Sequence, residues 1–104
     1  MTTNALLQEI KSRLAKAYGP HLRGVVLYGS LARGDDQPDS DIDVMVLLDK
    51  PAETWQDVYA ASEALFPLSL QIDKVIHVMA ADVRRYEESD FPLYAEARKD
   101  GIRA

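Results

Sequence analysis

Residues 25–48 constrain this chain more than any other stretch. A short apolar run, Val25-Val26-Leu27-Tyr28, stops at Gly29-Ser30, and a polar connection rich in Gly, Pro and Asp follows. Five aspartates fall between positions 35 and 43, the last two opening a second apolar run in which Ile42, Val44, Val46 and Leu48 alternate. Runs of this length bounded by breaker residues read as strands. The spacing therefore predicts two strands, with a loop over 31–40 that holds at most a turn of helix at 31–33. A strand repeats every two residues, so Asp41 and Asp43 leave it on the same side, roughly 6.6 Å apart.

The remaining elements follow from periodicity. Leu6, Leu7, Ile10, Leu14 and Ala17 fall at helical spacing before the stop Gly19-Pro20. Residues 53–66 predict a second helix with Trp55, Val58, Tyr59, Ser62 and Leu65 inward, Thr54 or Asp49 as its cap and Pro67 as its end. Residues 68–79 predict a third strand, and short helices are expected over 82–88 and 92–100 before Gly101. This order implies an α/β (α+β) fold: one domain over 1–104, with a small mixed sheet and helices over one face. At 104 residues there is room for one core. The absence of cysteine excludes disulfides and thiolate chemistry and permits a reducing cytoplasm. No run approaches the roughly 18 apolar residues of a membrane span, and residues 1–17 are too polar for a signal peptide. A net charge of −5 argues against capture of nucleic acid.

The chemistry is in the aspartates. An Asp-rich loop is commonly a solvated turn, but two carboxylates held side by side repel, and each raises the other's pKa unless a cation lies between them. Mg²⁺ suits such a pair, because it takes oxygen ligands and is completed by water and substrate phosphates. Gly29 lets a ligand approach the backbone, and the Ser30 hydroxyl with the N–H groups after it can hold phosphate oxygens. Competing motifs fail on the same residues. An EF-hand loop from Asp39 needs Gly and Glu where Val44 and Lys50 stand; a P-loop from Gly24 needs Lys and Ser/Thr where Ser30 and Leu31 stand.

Gly29-Ser30, ten intervening residues and Asp41-x-Asp43 resemble the signature of the nucleotidyltransferase superfamily related to DNA polymerase β. The longer form, GSLARGD…SDIDVMVLL, resembles its minimal (MNT) members, which act as antitoxins beside HEPN-type toxins. The resemblance is strong over residues 24–49 and looser beyond. It implies two-metal, in-line transfer of AMP from ATP to an acceptor hydroxyl. Asp41 and Asp43 would bridge two Mg²⁺ ions, and Gly29 and Ser30 would hold the β,γ-phosphates. It also implies a third carboxylate on a later strand. Asp73, the one acidic residue within 68–79, is the candidate, as metal ligand and proton acceptor; the alternative is an edge-strand charge paired with Lys74.

Arg33 could meet the triphosphate with its planar donors or form a salt bridge with Asp35 or Asp36. His77 reads as a half-buried sheet residue rather than a ligand, His21 as surface, and Trp55 and Tyr59 as core. Arg84 and Arg85 fit an exposed helix face, and Asp35, Asp36 and Asp39 a solvated loop. Only 31 residues follow Asp73, so the acceptor is expected from a partner: by resemblance a tyrosine hydroxyl of a HEPN-type toxin, docked near Phe91, Leu93 and Tyr94. Two alternatives stand beside this, a non-catalytic binding module and a transferase acting on a small molecule. Homo- or hetero-oligomerisation is left open.

Overall fold

The computed structural model describes residues 2–51 and 55–104. Helix α1, Thr3–Tyr18, starts where the Thr2 side chain accepts from the Ala5 N–H at 3.0 Å and stops at Gly19, with φ 59°. A 3₁₀ turn, Gly19–His21, leads into β1, Leu22–Tyr28. The four-residue α2, Ser30–Arg33, precedes the acidic loop and β2, Ile42–Leu48. Then come α3, Trp55–Ile72, β3, Ile76–Asp82, α4, Val83–Glu88, α5, Pro92–Asp100, and the short β4, Ile102–Arg103. The sheet order is β3-β2-β1-β4; β1 runs antiparallel to β2 and β4, and β2 and β3 are parallel.

Helices cover both faces of this sheet, not one. On the first face Val25, Leu27, Val44, Val46 and Leu48 pack with Leu7, Ile10 and Leu14 of α1 and Ala61, Leu65 and Leu68 of α3. On the second, Val26, Met45, Leu47 and Ala81 pack with Tyr86 of α4 and Tyr94 and Ala97 of α5. The reason lies in β2, whose Met45 and Leu47 are as apolar as the residues alternating with them; a strand apolar on both sides needs two covers. Tyr94 is accordingly core, its ring edge-on to Tyr86 and Phe91, and is not surface available to a partner.

Pro67 does not end α3 but lies inside it. Proline costs a helix interior about 3 kcal/mol, whereas burying Leu68 and most of Ile72 returns roughly 1.5–3 kcal/mol apiece. Asp57, Ala61, Leu65 and Leu68 form the buried face, which leaves Trp55 and Tyr59 outside, 72% and 62% exposed, contrary to the core placement expected for them. The predicted start at Glu53 and the Thr54 cap lie outside the described residues, and Asp49 is bonded to His21 and Arg23 instead. The helix closes at Asp73, whose φ of 55° is left-handed, with the Lys74 N–H donating to the Ser69 carbonyl at 3.2 Å. This is the wrap-around bond of a helix C-terminus. The third strand thus begins at Ile76, not at residue 68.

Candidate functional site

The site lies on the second face, at the end of the sheet where β1 stops and β2 starts. Tyr28 pairs with Asp43 across β1 and β2, so the turn after Tyr28 lands beside the Asp43 side chain. Gly29 has φ 78° and ψ −155°, a combination close to glycine-only. A Cβ at this position would run into the Asp43 carboxylate. Glycine is needed here for conformation and for room together. Ser30 opens α2, which closes through Arg33 N–H to the Gly29 carbonyl and Asp35 N–H to the Ser30 carbonyl.

Asp41 precedes the strand by one residue and shares its parity with Asp43. Its Oδ2 lies 2.7 Å from Nε2 of His77, and His77 is the register partner of Asp43 in the parallel pairing with β3. Burial pushes the Asp43 carboxyl above the ordinary aspartate range; His77 pulls it down, Asp41 raises it and Arg33 lowers it. Tyr28 is pushed up to about 12 by burial and by the Asp43 charge. The loop before Asp41 is held by Lys74, whose Nζ donates to the Pro38 and Ser40 carbonyls at 3.2 and 3.3 Å. Arg33 lies 3.3 Å from Asp35, with both side chains exposed. A cleft of about 460 Å³ opens beside Asp41, lined by Leu6, Leu31, Asp36, Gln71 and Lys74 among others.

Of the residues expected in the site, the fold gathers Gly29, Asp41 and Asp43, with Ser30 next in the turn and Arg33 close enough to act on Asp43. It does not bring Asp73 to them on a strand. Asp73 is the left-handed residue closing α3 and lines a separate hollow with Ser62, Phe66 and Leu70. His77, read from sequence as a half-buried sheet residue, does lie in β3 but is exposed and bonded to Asp41. Its place opposite Asp43 follows only once β3 is known to start at Ile76.

A model of the nucleotidyltransferase domain matches residues 7–101. The chain belongs to the nucleotidyltransferase domain family. Among curated proteins it is 28% identical over 88 residues to an aminoglycoside nucleotidyltransferase (4′) of Staphylococcus aureus, the match covering 85% of this chain. The domain spans about a third of that relative, 33% of its length. Its fold is shared with a chain of a toxin–antitoxin structure with AMP-PNP (TM-score 0.66, 19% identity, 92% of this chain and 70% of that one). It is shared also with a chain from a complex of tri-AMPylated Shewanella oneidensis HEPN toxin with MNT antitoxin (TM-score 0.55, 17% identity, 93% and 70%).

A divalent cation of the kind such domains use finds a suitable donor set here. Asp41 and Asp43 offer hard oxygens from one face, a bound cation would offset the burial that raises the Asp43 carboxyl, and that carboxylate lies against the bare backbone of Gly29. Among the described residues no three His, Cys, Asp or Glu side chains are grouped so as to hold a metal by themselves. Substrate oxygens and water would complete the shell. Among the described residues no helix is long and apolar enough to cross a membrane.

The raised Asp43 carboxyl has a consequence for stability. The fold holds this proton more tightly than the unfolded chain does, so its contribution is full below the ordinary pKa of 3.8 and is lost as pH rises through the folded value. Without divalent cation, Asp43→Asn is therefore expected to melt no lower than wild type at pH 7 and to gain on it between pH 3.5 and neutrality. Paired melting curves across that range check this; a variant that falls further behind as pH rises contradicts it.

Proposed function

We propose that this domain transfers AMP from ATP to a hydroxyl of a partner protein, as the antitoxin of a toxin–antitoxin pair. The observation that carries the reading is the packing of the Asp43 carboxylate against Gly29, with Asp41 on the same face: paired acids set against a glycine-serine turn. In this reading Gly29 and Ser30 hold the β,γ-phosphates by backbone N–H groups and hydroxyl, and Arg33 leaves its exposed contact with Asp35 to meet the triphosphate. Asp41 and Asp43 hold Mg²⁺. When bound, the cation offsets charge developing on the α-phosphate and the leaving pyrophosphate. The acceptor oxygen attacks the α-phosphorus, the bond to the bridging oxygen breaks in line, and the hydroxyl proton passes to an oxygen of the aspartate pair. Asp73 has no part in this reading.

The acceptor proposed is a tyrosine hydroxyl of a HEPN-type toxin, and the compartment is the cytoplasm, where ATP is made available. Trp55, Tyr59, Phe66 and Leu70 leave apolar surface along α3 of the kind a protein partner covers. Incubated with this domain, ATP and Mg²⁺, such a partner is expected to gain one or more AMP masses on tyrosine, read by intact-mass and peptide spectrometry. A partner that forms the complex but keeps its mass would leave only a binding module. The curated relatives favour a second reading, transfer to an aminoglycoside; AMP on the antibiotic, with the partner protein unmodified, would select it.

Arg33 has a separable effect. Arg33→Ala is expected to raise KM for ATP about tenfold, the worth of one charge-assisted contact, with the melting temperature unchanged because the Asp35 pair is exposed. Steady-state kinetics with calorimetry decides it; an unaltered KM removes Arg33 from the site.

A further inference from the structure

The third carboxylate expected on β3 is not there. The strand's own acidic residue, Asp82, pairs in register with Leu48 at the far end, where it accepts from the Arg84 N–H and caps α4. Asp73 lies before the strand, in the turn that closes α3. The position opposite Asp43 is His77, and its Nε2 stands 2.7 Å from Asp41 Oδ2. Residues 41 and 43 share a face by parity, and 77 joins them by register. An imidazole thus stands where the third acid was expected, beside Asp41 and opposite Asp43. The three side chains do not make a metal-holding group by themselves, so nucleotide oxygens would have to complete the shell.

We infer that His77 is a metal ligand of this domain, making its centre a mixed carboxylate–imidazole site that favours Mn²⁺ or Co²⁺ over Mg²⁺. The inference rests on the nucleotidyl-transfer reading given above. Its chemical ground is ligand preference. Mg²⁺ binds almost exclusively through oxygen and dehydrates reluctantly, whereas imidazole nitrogen suits first-row transition ions. The nitrogen already within hydrogen-bond reach of a proposed ligand oxygen needs only a small displacement to share an ion with it. His77 is exposed, so its replacement leaves the core of β3 intact.

The test uses the purified domain with a non-hydrolysable ATP analogue. Mn²⁺ and Mg²⁺ affinities are measured by titration calorimetry, and nitrogen coupling to bound Mn²⁺ by pulsed electron paramagnetic resonance. Wild type is expected to show histidine nitrogen coupling. In His77→Ala the coupling disappears and Mn²⁺ binding weakens at least about tenfold, a typical cost of losing one ligand-shell residue. His77→Asp abolishes the coupling yet narrows the gap between Mn²⁺ and Mg²⁺ affinities, and Asp73→Asn changes neither. Circular dichroism verifies each fold. Bound Mn²⁺ without nitrogen coupling, or loss of affinity in Asp73→Asn but not in His77→Ala, overturns the role of His77 and leaves the transfer reading standing. A wild-type domain that binds neither ion with the analogue overturns both.

Discussion

Asp41→Asn and Asp43→Asn are each expected to abolish transfer of label from α-labelled ATP while leaving the circular dichroism spectrum unchanged. The expected loss is at least about 10³-fold, roughly 4 kcal/mol of transition-state stabilisation. The amide keeps the shape of the carboxylate but removes the charge that holds a cation beside the phosphates. Asp41 is exposed and Asp43 half-buried, on a strand whose other side chains, Met45 and Leu47 among them, are fixed in a separate apolar cluster. Neither replacement disturbs that cluster. Asp43→Asn should even be no less stable at neutral pH without metal, since burial and Asp41 work against its ionisation. A protein that folds well and transfers nothing is the pattern that separates a chemical role from a structural one. Label transfer at the wild-type rate by either variant would remove that aspartate from the chemistry.

Gly29→Ala carries the second large effect, and here stability and activity fall together. The backbone at φ 78° and ψ −155° is strained for any side chain, at about 1–3 kcal/mol. The added methyl also meets the Asp43 carboxylate, so the turn or the acid must move. With about 4–8 °C of melting temperature per kcal/mol in a domain of this size, a drop of roughly 10 °C or more is expected. Transfer should fall below a few per cent of wild type. Gly34→Ala is the control: φ is 80° there too, but nothing lies within 4 Å of the added Cβ. It should cost about 1 kcal/mol and leave transfer unaltered. Equal losses of activity in both variants would mean that backbone strain, not crowding of Asp43, is responsible.

The part of the fold that places the acids was legible in the sequence because its signals are local. The run ending at Tyr28, the break at Gly29 and the alternation through Leu48 each speak for a strand end within a few residues. The α3–β3 boundary was hidden for the opposite reason. Pro67 is a strong local stop, overridden by the burial of Leu68 and Ile72 against α1 and the sheet, a tertiary effect that no window around Pro67 contains. That one misplaced boundary carried Asp73 onto a strand and kept His77 from its register with Asp43. Trp55 and Tyr59 failed through phase: with Asp57, Ala61 and Leu65 inward, the aromatic side chains turn outward. The helices α4 and α5 were legible as elements, but their placement on a second face was not, because the apolar residues of β2 were counted on one side only, although Met45 and Leu47 required a cover of their own.

The mixed direction of the sheet also sets an order of assembly. β1 and β2 meet as antiparallel neighbours across one short loop, whereas β3 reaches β2 only after the chain has crossed over through the whole of α3. Closing the first loop loses less entropy than closing the second. During vectorial synthesis the N-terminal half emerges first, already bearing the glycine turn and both acids on a single hairpin. The imidazole is delivered last, by the crossover, so the site is finished only when the hydrophobic interior is closed.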